Sequence, residues 1–381
     1  MVKRGAKGSR STQRRRAKPS AKRDHIEQEL RGRIVKGVYP AGTRMPLRTE
    51  LKRQFRAGPV TVQRALDRLI AAGFVQTRGR GGTYVAEHPP HLFRYALVFP
   101  KSPGDPDWNR FWTALSNEAQ AVERASSRRL VIYHGIEEHG ESRDYQPLLD
   151  AVMSQRLAGL IFPGYPDFVD GTPLLTASGC PCVAVSSELR WPGMSAVSLD
   201  ARGFIDKALD YFAARKRHRI AIISLPLFPE HHESYITAGI RDRGLVTRPY
   251  WTQRVLPSSP KGVQDCAHLL MHAGQSERPD GLLIADDNLV EPATAGLVAA
   301  GLRVPEELEV VGHCNFPWPT TTHLPVTRLG YDTHQVLVRC IESIDRQRAG
   351  EQEPTIGTIP AFFETEFRAT PRSPSAPGEV G

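Results

Sequence analysis

Residues 45–85 read MPLRTELKRQFRAGPVTVQRALDRLIAAGFVQTRGRGGTYV, and this stretch decides how the first quarter of the chain folds. Met45-Pro46 fixes a turn. In the run that follows, Leu51 and Phe55 stand at i and i+4, the spacing of one helix face. Arg56-Ala57-Gly58 makes a short break. Pro59 suits a first helical position, where its missing N–H would be unpaired anyway. Val62, Leu66, Leu69 and Ile70 then form an apolar stripe, which turns Thr61, Gln63, Arg64 and Arg68 outward. Two short helices joined by a tight glycine-containing turn are the arrangement that lays its second helix in the major groove of DNA. Gly73 ends that helix. Phe74–Thr77 and Thr83–Val85 are strand-like, and the tip between them is Arg78-Gly79-Arg80-Gly81-Gly82. Glycine supplies the positive φ that a hairpin tip needs. Arginines on such a tip can enter a minor groove, where negative potential concentrates.

The charge distribution agrees. The net charge is +9, with 50 Lys/Arg against 41 Asp/Glu. Residues 1–88 hold 22 of those cations and 6 of the acids, and the rest of the chain is mildly acidic. A polyanion fits one end of such a chain and not the other. Residues 1–23 carry ten cations, no acids and almost no apolar side chains, so we expect them to be disordered. They read either as an arm that adds sequence-independent, salt-sensitive affinity for DNA or as a solubilising tail.

Taken in order, Asp24 can cap a first helix carrying Ile26, Leu30 and Ile34. The DNA-reading domain is expected over 24–86. A linker over 87–94 follows, kept extended by Pro89-Pro90. From Tyr95 the pattern alternates between apolar strands and helices. Strands are expected at 95–99, 129–133, 159–162, 182–185 and 196–199, with helices at 111–125, 145–155, 174–178 and 203–214. A second set starts at Arg219, with strands at 219–223, 281–285 and 309–312 and helices at 233–243 and 291–300. Continuous apolar strands between helices mean parallel sheets covered on both faces. The fold class is α/β: an N-terminal winged helix-turn-helix, then a two-lobed domain over 95–370. Lobe 1 is expected at 95–215 and 328–350, lobe 2 at 216–327 and 351–370, and a disordered tail at 371–381. Ligands bind at the carboxyl ends of parallel strands, so the crevice between lobes is where polar and aromatic residues should gather.

The first segment resembles the GntR-type winged helix. The resemblance lies in GVYPAGTRMP at 37–46, Glu50-Leu51, Thr61-Val62 with Ala65-Leu66, and GFVQTRGRGGTYV at 73–85. It implies DNA contacts from Thr61 and its helix neighbours and from the Arg/Gly tip acting as a wing. Gly58-Pro59 and Leu47-Arg48-Thr49 stand where the family has customary arginine contacts, and Arg48 and Arg64 are the substitutes. The candidate DNA-binding set is Arg48, Thr49, Thr61, Gln63, Arg64, Arg78, Gly79, Arg80 and Gly81.

The larger segment resembles the LacI/GalR-type effector domain, a relative of periplasmic sugar-binding proteins. The landmarks are VSLD at 197–200, RHRIA at 217–221, YITAG at 235–239, IADD at 284–287, VVGH at 310–313, TRL at 327–329 and EFRAT at 366–370. The resemblance implies that Asp286 sits where a cleft side chain bonds a ligand hydroxyl. Asn315 falls where the family has an aspartate. Tyr235 stands near where the family has an arginine.

The candidate effector-binding residues are therefore Trp108, Phe111, Trp112, Asp200, Tyr235, Asp286, Asn315 and Trp318. Trp108, Phe111 and Trp112 read equally as a platform for a sugar face or as partial core. Trp318 reads as cleft rim or as packing at a lobe edge. Asp286-Asp287 could form a catalytic or metal-binding pair; adjacent residues at a strand end point to opposite faces, which favours one ligand contact and one structural contact. His231-His232 lack the i, i+4 spacing of a helical metal site and read as loop residues. Cys180-Pro-Cys182 has no second pair, so the five cysteines read as buried free thiols in a reducing cytoplasm. No secretory signal and no run near the ~20 apolar residues of a membrane span are present.

No nucleophile elbow, P-loop or dinucleotide fingerprint appears, so catalytic residues, metal and cofactor are all expected to be none. The expected function is a cytoplasmic, dimeric transcription repressor. Its partners would be an operator duplex and a small carbohydrate effector. The alternative is a winged helix fused to an aminotransferase-like enzyme body. That body needs a Schiff-base lysine, and Lys207, Lys216 and Lys261 are poorly placed for one.

Overall fold

A computed structural model describes residues 19–176, 179–226, 230–351 and 355–369; the side chains of residues 19, 80, 139 and 230–233 lie outside it. The chain divides into two compact units, residues 1–92 and 93–381.

In the first unit, helix α1 (Pro19–Val35) packs on α3 (Pro59–Ala71), as does α2 (Arg48–Phe55). Ile26, Leu30 and Ile34 meet Leu51, Val62, Leu66 and Leu69 in one buried cluster. Glu50 accepts a hydrogen bond from the Leu47 N–H at 2.9 Å, which fixes the start of α2. Strand β1 (Val75–Thr77) pairs antiparallel with β2 (Thr83–Val85), and Gly79–Gly81 form one tight turn at the tip. Gly82 takes φ 99°, a conformation that disfavours a side chain. The stretch expected to be unstructured to residue 23 becomes helical at Pro19. Within it, Arg23 pairs with Asp24 at 2.7 Å, and Arg68 on α3 reaches Asp24 and Glu27 at 2.8 and 3.1 Å. The expected disorder of residues 1–18 lies outside the described residues.

A short helix, α4 (Pro90–Phe93), spans the boundary, so the linker expected to be extended over 87–94 is partly helical. The second unit continues as β3 (Arg94–Val98), α5 (Arg110–Ala125), β4 (Arg129–Tyr133), α6 (Tyr145–Met153), β5 (Gly159–Phe162), α7 (Pro173–Thr176), β6 (Cys182–Val185) and β7 (Ser195–Leu199). Next come α8 (Ala201–Ala214), β8 (Ile220–Ser224), α9 (Glu230–Asp242), β9 (Thr252–Arg254), α10 (Pro260–Met271), β10 (Gly281–Ile284), α11 (Asp287–Ala299), β11 (Glu309–Phe316) and β12 (Thr327–Asp332). The chain closes with α12 (Thr333–Arg348), β13 (Ile356–Ile359), β14 (Phe362–Phe363) and α13 (Glu364–Ala369). Two six-stranded sheets result, in the orders β13-β7-β6-β5-β3-β4 and β14-β12-β11-β10-β8-β9. Every pairing in them is parallel except β12 with β14. All five residues of β8 and all four of β5 and β10 are buried, as strands covered on both faces must be.

The lobe boundaries differ from the expected ones. Helix α8 packs on α9 and β12, so lobe 2 begins at 201 and not at 216. β12, expected in lobe 1, lies beside β11 in the lobe 2 sheet. β13, expected in lobe 2, lies beside β7 in the lobe 1 sheet. The chain therefore passes between lobes three times: after β7, between β12 and α12, and between β13 and β14. α10 and β9 were not foreseen, and α9 starts at Glu230, which makes the backbone of His231-His232 helical. The side chains of those histidines lie outside the described residues, as does the end of the helix expected at 174–178. Cys182, Cys314 and Cys340 are buried free thiols as read, but Cys180 and Cys266 are only half-buried.

Candidate functional site: the cleft between two lobes

In each sheet the first strand in sequence has the next two strands on opposite sides of it. β3 lies between β4 and β5, and β8 between β9 and β10. The carboxyl ends of strands at such switch points leave a crevice. The two crevices face each other across a cleft of about 1150 Å³. Lobe 1 supplies Asp107–Thr113 and Pro163-Gly164. Lobe 2 supplies Phe204, Ala285–Asn288, Glu291, His313, Asn315 and Tyr331.

The lobe 1 wall is aromatic. Asn109 caps α5 by accepting from the Trp112 N–H at 2.9 Å. Trp108 and Trp112 meet edge to face at 5.5 Å, and both pack on buried Phe99. Their indole N–H groups are already engaged, Trp108 with Thr113 at 2.8 Å and Trp112 with the Pro163 carbonyl at 3.1 Å. What they offer a ligand is ring surface. The same half-buried residues pack against the buried core, as the core reading of this trio expects.

The lobe 2 wall is polar. Asp286 is the N-cap of α11 and Asp287 its first residue, not two residues of a strand end. Asp286 Oδ1 accepts from the Asn288 backbone N–H at 2.9 Å and from its amide at 2.8 Å. Asp287 is 2% exposed and accepts from Asn315 Nδ2 at 2.6 Å. Burial, with the Asp286 charge second, pushes the Asp287 carboxyl up to about 7, opposed by the Asn315 bond and by Arg110. Asn315 Oδ1 and His313 Nδ1 have no hydrogen-bond partner. Burial lowers the His313 pKa, partly countered by Asp286, which favours the neutral ring. Among the described residues no cluster of His, Cys, Asp or Glu could hold a metal ion.

Two contacts tie the lobes at the cleft mouth. The Arg110 N–H donates to Asn288 Oδ1 at 2.9 Å, and the Arg110 guanidinium pairs with Glu291. Away from the cleft, the buried carboxylate of Glu118 on α5 accepts from Trp318 Nε1 at 3.3 Å and contacts His334 Nδ1 at 2.8 Å.

Of the eight expected effector residues, the structure brings Trp108, Phe111, Trp112, Asp286 and Asn315 to the cleft. Three are placed elsewhere. Asp200 caps α8 through the Gly203 N–H at 2.9 Å, a structural use of a strand-end carboxylate. Tyr235 sits on α9 bonded to Asp206, with Arg202 over its ring. Trp318 is the lobe-edge residue bonded to Glu118. His313, Asn288, Arg110 and Glu291 were missed. His313 was within reach of sequence reasoning, because it lies two residues from Asn315 and period-2 alternation puts both on one face of a strand.

In the first unit, Arg48, Thr49 and Arg64 are exposed, and Thr61 and Gln63 are half-buried on α3. Gln63 donates to Asp67 at 2.6 Å. Arg78 stacks on Tyr84 with its guanidinium carbon 4.7 Å from the ring centroid and pairs with Glu87 at 2.7 Å. Gly79 and Gly81 form the tip; the Arg80 side chain lies outside the described residues.

Comparison with known proteins gives these surfaces their context. Residues 22–85 match the bacterial regulatory proteins of the gntR family, and residues 209–360 match the periplasmic binding protein-like domain. The chain is a DNA-binding transcriptional regulator with a GntR-type helix-turn-helix and a periplasmic-binding-protein-like domain. It is 20% identical over 375 residues to the arabinose metabolism transcriptional repressor of Halalkalibacterium halodurans, covering 88% of this chain and 93% of that one. It is 23% identical over 289 residues to the HTH-type transcriptional regulator GntR of Pseudomonas aeruginosa, covering 72% and 81%. A LacI family transcriptional regulator from Arthrobacter sp. FB24, solved in complex with lactose, superimposes with a TM-score of 0.56 at 13% identity, covering 71% of this chain and 97% of that one. Another from Lactobacillus casei, with bound glucose, gives 0.50 at 18%, covering 71% and 98%. At these identities the structural likeness establishes the fold.

Proposed function

We propose that the protein is a cytoplasmic homodimeric repressor whose grip on an operator is set by a carbohydrate bound in the cleft. The observation that carries this reading is the cleft itself. A crevice of about 1150 Å³, aromatic on one wall and hydrogen-bonding on the other, suits a sugar ring, whose faces are apolar and whose rim is hydroxylated. It sits on the same chain as a helix-turn-helix. The relatives named for arabinose metabolism and the solved neighbours with lactose and glucose support a sugar class.

Asp286 and Asn315 would bond hydroxyls while Trp108, Phe111 and Trp112 take a ring face. On the first unit, Thr61, Gln63 and Arg64 would read the major groove, with Arg48 and Thr49 on the backbone and the Arg78–Gly81 tip in the minor groove. Closure would alter the spacing of two helix-turn-helix units on a roughly palindromic operator. A ligand acts only through its different affinity for the two states, a coupling of ~1–3 kcal/mol. Lys207 and Lys261, bonded to Glu366 and Asp265 at the surface, offer the aminotransferase-like alternative no buried amine.

The test is to select an operator from a random duplex library with the full chain, then measure its affinity by anisotropy against mono- and disaccharides. At least one sugar should change the operator Kd about fivefold or more. Equal operator affinity with every sugar at saturation overturns the proposal.

A further inference from the structure

The effector's charge can be read from which cleft atoms are already in use; this rests on the carbohydrate reading and narrows it. Asn315 is 1% exposed; its Nδ2 is committed to Asp287, and its Oδ1 has no partner. A buried acceptor is costly to leave unpaired, so it calls for a donor from the ligand. Asp286 spends Oδ1 on Asn288, and among the described residues no hydrogen bond reaches its Oδ2. The open carboxylate and amide oxygens on this wall are acceptors; His313, whose Nδ1 also has no partner, can take either role according to its tautomer.

Cations point the same way. Among the described residues, the two Lys/Arg side chains lining the cleft, Arg110 and Lys261, pair with Glu291 and Asp265. Asp286 remains; burial first, and the Asp286 charge second, raise the buried Asp287 carboxyl to about 7, so it carries only part of a charge near neutral pH. An acidic ligand would bring a further negative charge to a wall on which, among the described residues, both Lys/Arg cations already have a carboxylate partner.

One effect opposes this. Helix N-termini attract anions, and both α5 and α11 start at the cleft. Several of those amides are taken by the protein itself. Asn109 accepts from Trp112 N–H, Asn288 accepts from Arg110 N–H, and Asp286 accepts from Asn288 N–H. The carboxylate of Asp286 is already the anion of α11.

We propose that the cleft selects a polyhydroxylated ligand without negative charge, a neutral sugar or its amino-substituted form, and rejects acidic and phosphorylated sugars. Calorimetry of the full chain with matched sets tests this. The sets are glucose, glucosamine, glucuronate and glucose 6-phosphate; galactose, galactosamine and galacturonate; and ribose with ribose 5-phosphate. Spermidine and citrate serve as non-sugar probes.

In any set that binds, each acidic member should be at least tenfold weaker than its neutral parent. Asp286→Asn, which keeps a capping oxygen, should shrink that gap. An acidic sugar that binds as tightly as its parent overturns this inference and leaves the carbohydrate reading standing. Spermidine binding while every sugar stays silent overturns the carbohydrate reading and upholds the charge rule. Citrate as the sole ligand, or silence across the panel, overturns both.

Discussion

Arg78 on the wing is not a free cation, and that makes its contribution to DNA binding measurable from two sides. Its guanidinium lies 2.7 Å from Glu87 and stacks on Tyr84. Both charged side chains are well exposed, at 42% and 65%, so solvent screens the pair and its worth is about 0.2–1 kcal/mol. A phosphate must compete with Glu87 for the guanidinium. Removing the competitor with Glu87→Ala should tighten binding to a mixed-sequence duplex by up to about fivefold at low salt, since 1.4 kcal/mol corresponds to tenfold. Removing the cation with Arg78→Ala should weaken it and flatten the dependence of log K on log salt by about 0.9, the counterion share of one phosphate contact. The double variant should match Arg78→Ala alone. If it instead keeps the gain of Glu87→Ala, that carboxylate acts only through long-range repulsion. Salt titrations by anisotropy give all four values. An unchanged slope in Arg78→Ala would refute the reasoning, because it would mean that the wing arginine touches no phosphate.

Two further outcomes follow from packing and charge. A methyl group added at Gly296 would meet the Gln264 carbonyl oxygen at 2.2 Å and Ala267 Cβ at 3.0 Å where α11 crosses α10; Gly296→Ala should cost about 1–3 kcal/mol in urea unfolding, and a cost under 0.5 kcal/mol would show that the helices move apart freely. The raised Asp287 carboxyl means that the folded state holds a proton that the unfolded chain releases near pH 4, so stability should fall as pH rises from about 4 to about 7 and level off beyond; Asp287→Asn should lose part of that fall, and an identical pH profile would count against the assignment.

Much of the architecture is legible in the residues because its signals are local. The stripe Val62-Leu66-Leu69, the Gly79–Gly82 tip and the apolar runs at 95–99, 220–223 and 281–284 each declare an element without reference to the rest of the chain. Lobe membership is different. β12 joins lobe 2 by lying in register with β11, and β13 joins lobe 1 by lying beside β7. Nothing in Thr327–Asp332 or Ile356–Ile359 states which neighbour it will find. α10 was hidden because Pro257 and Pro260 flank an exposed polar approach, and β9 because it spans only three residues.

The cleft shows the same division. Trp108, Phe111 and Trp112 stand out because large aromatics at a helix start need a reason. Asp200 and Asp286 look alike in sequence, each following an apolar strand and opening a helix, and each caps its helix. Only the second lines the cleft. Capping chemistry gives both the same residue type, and the difference lies in where the third dimension puts them.

The bond from Arg110 N–H to Asn288 has a further consequence. The first amide of α5 is completed by a side chain that belongs to the opposite lobe. Parting the lobes would cost that amide its acceptor, while Trp108 and Trp112 would keep Phe99, their indole partners and the Asn109 cap within lobe 1. The aromatic wall would stay in place, and the first amide of α5 alone would register whether the mouth is shut. Amide exchange at Arg110 would report the open fraction directly, with no ligand or operator present.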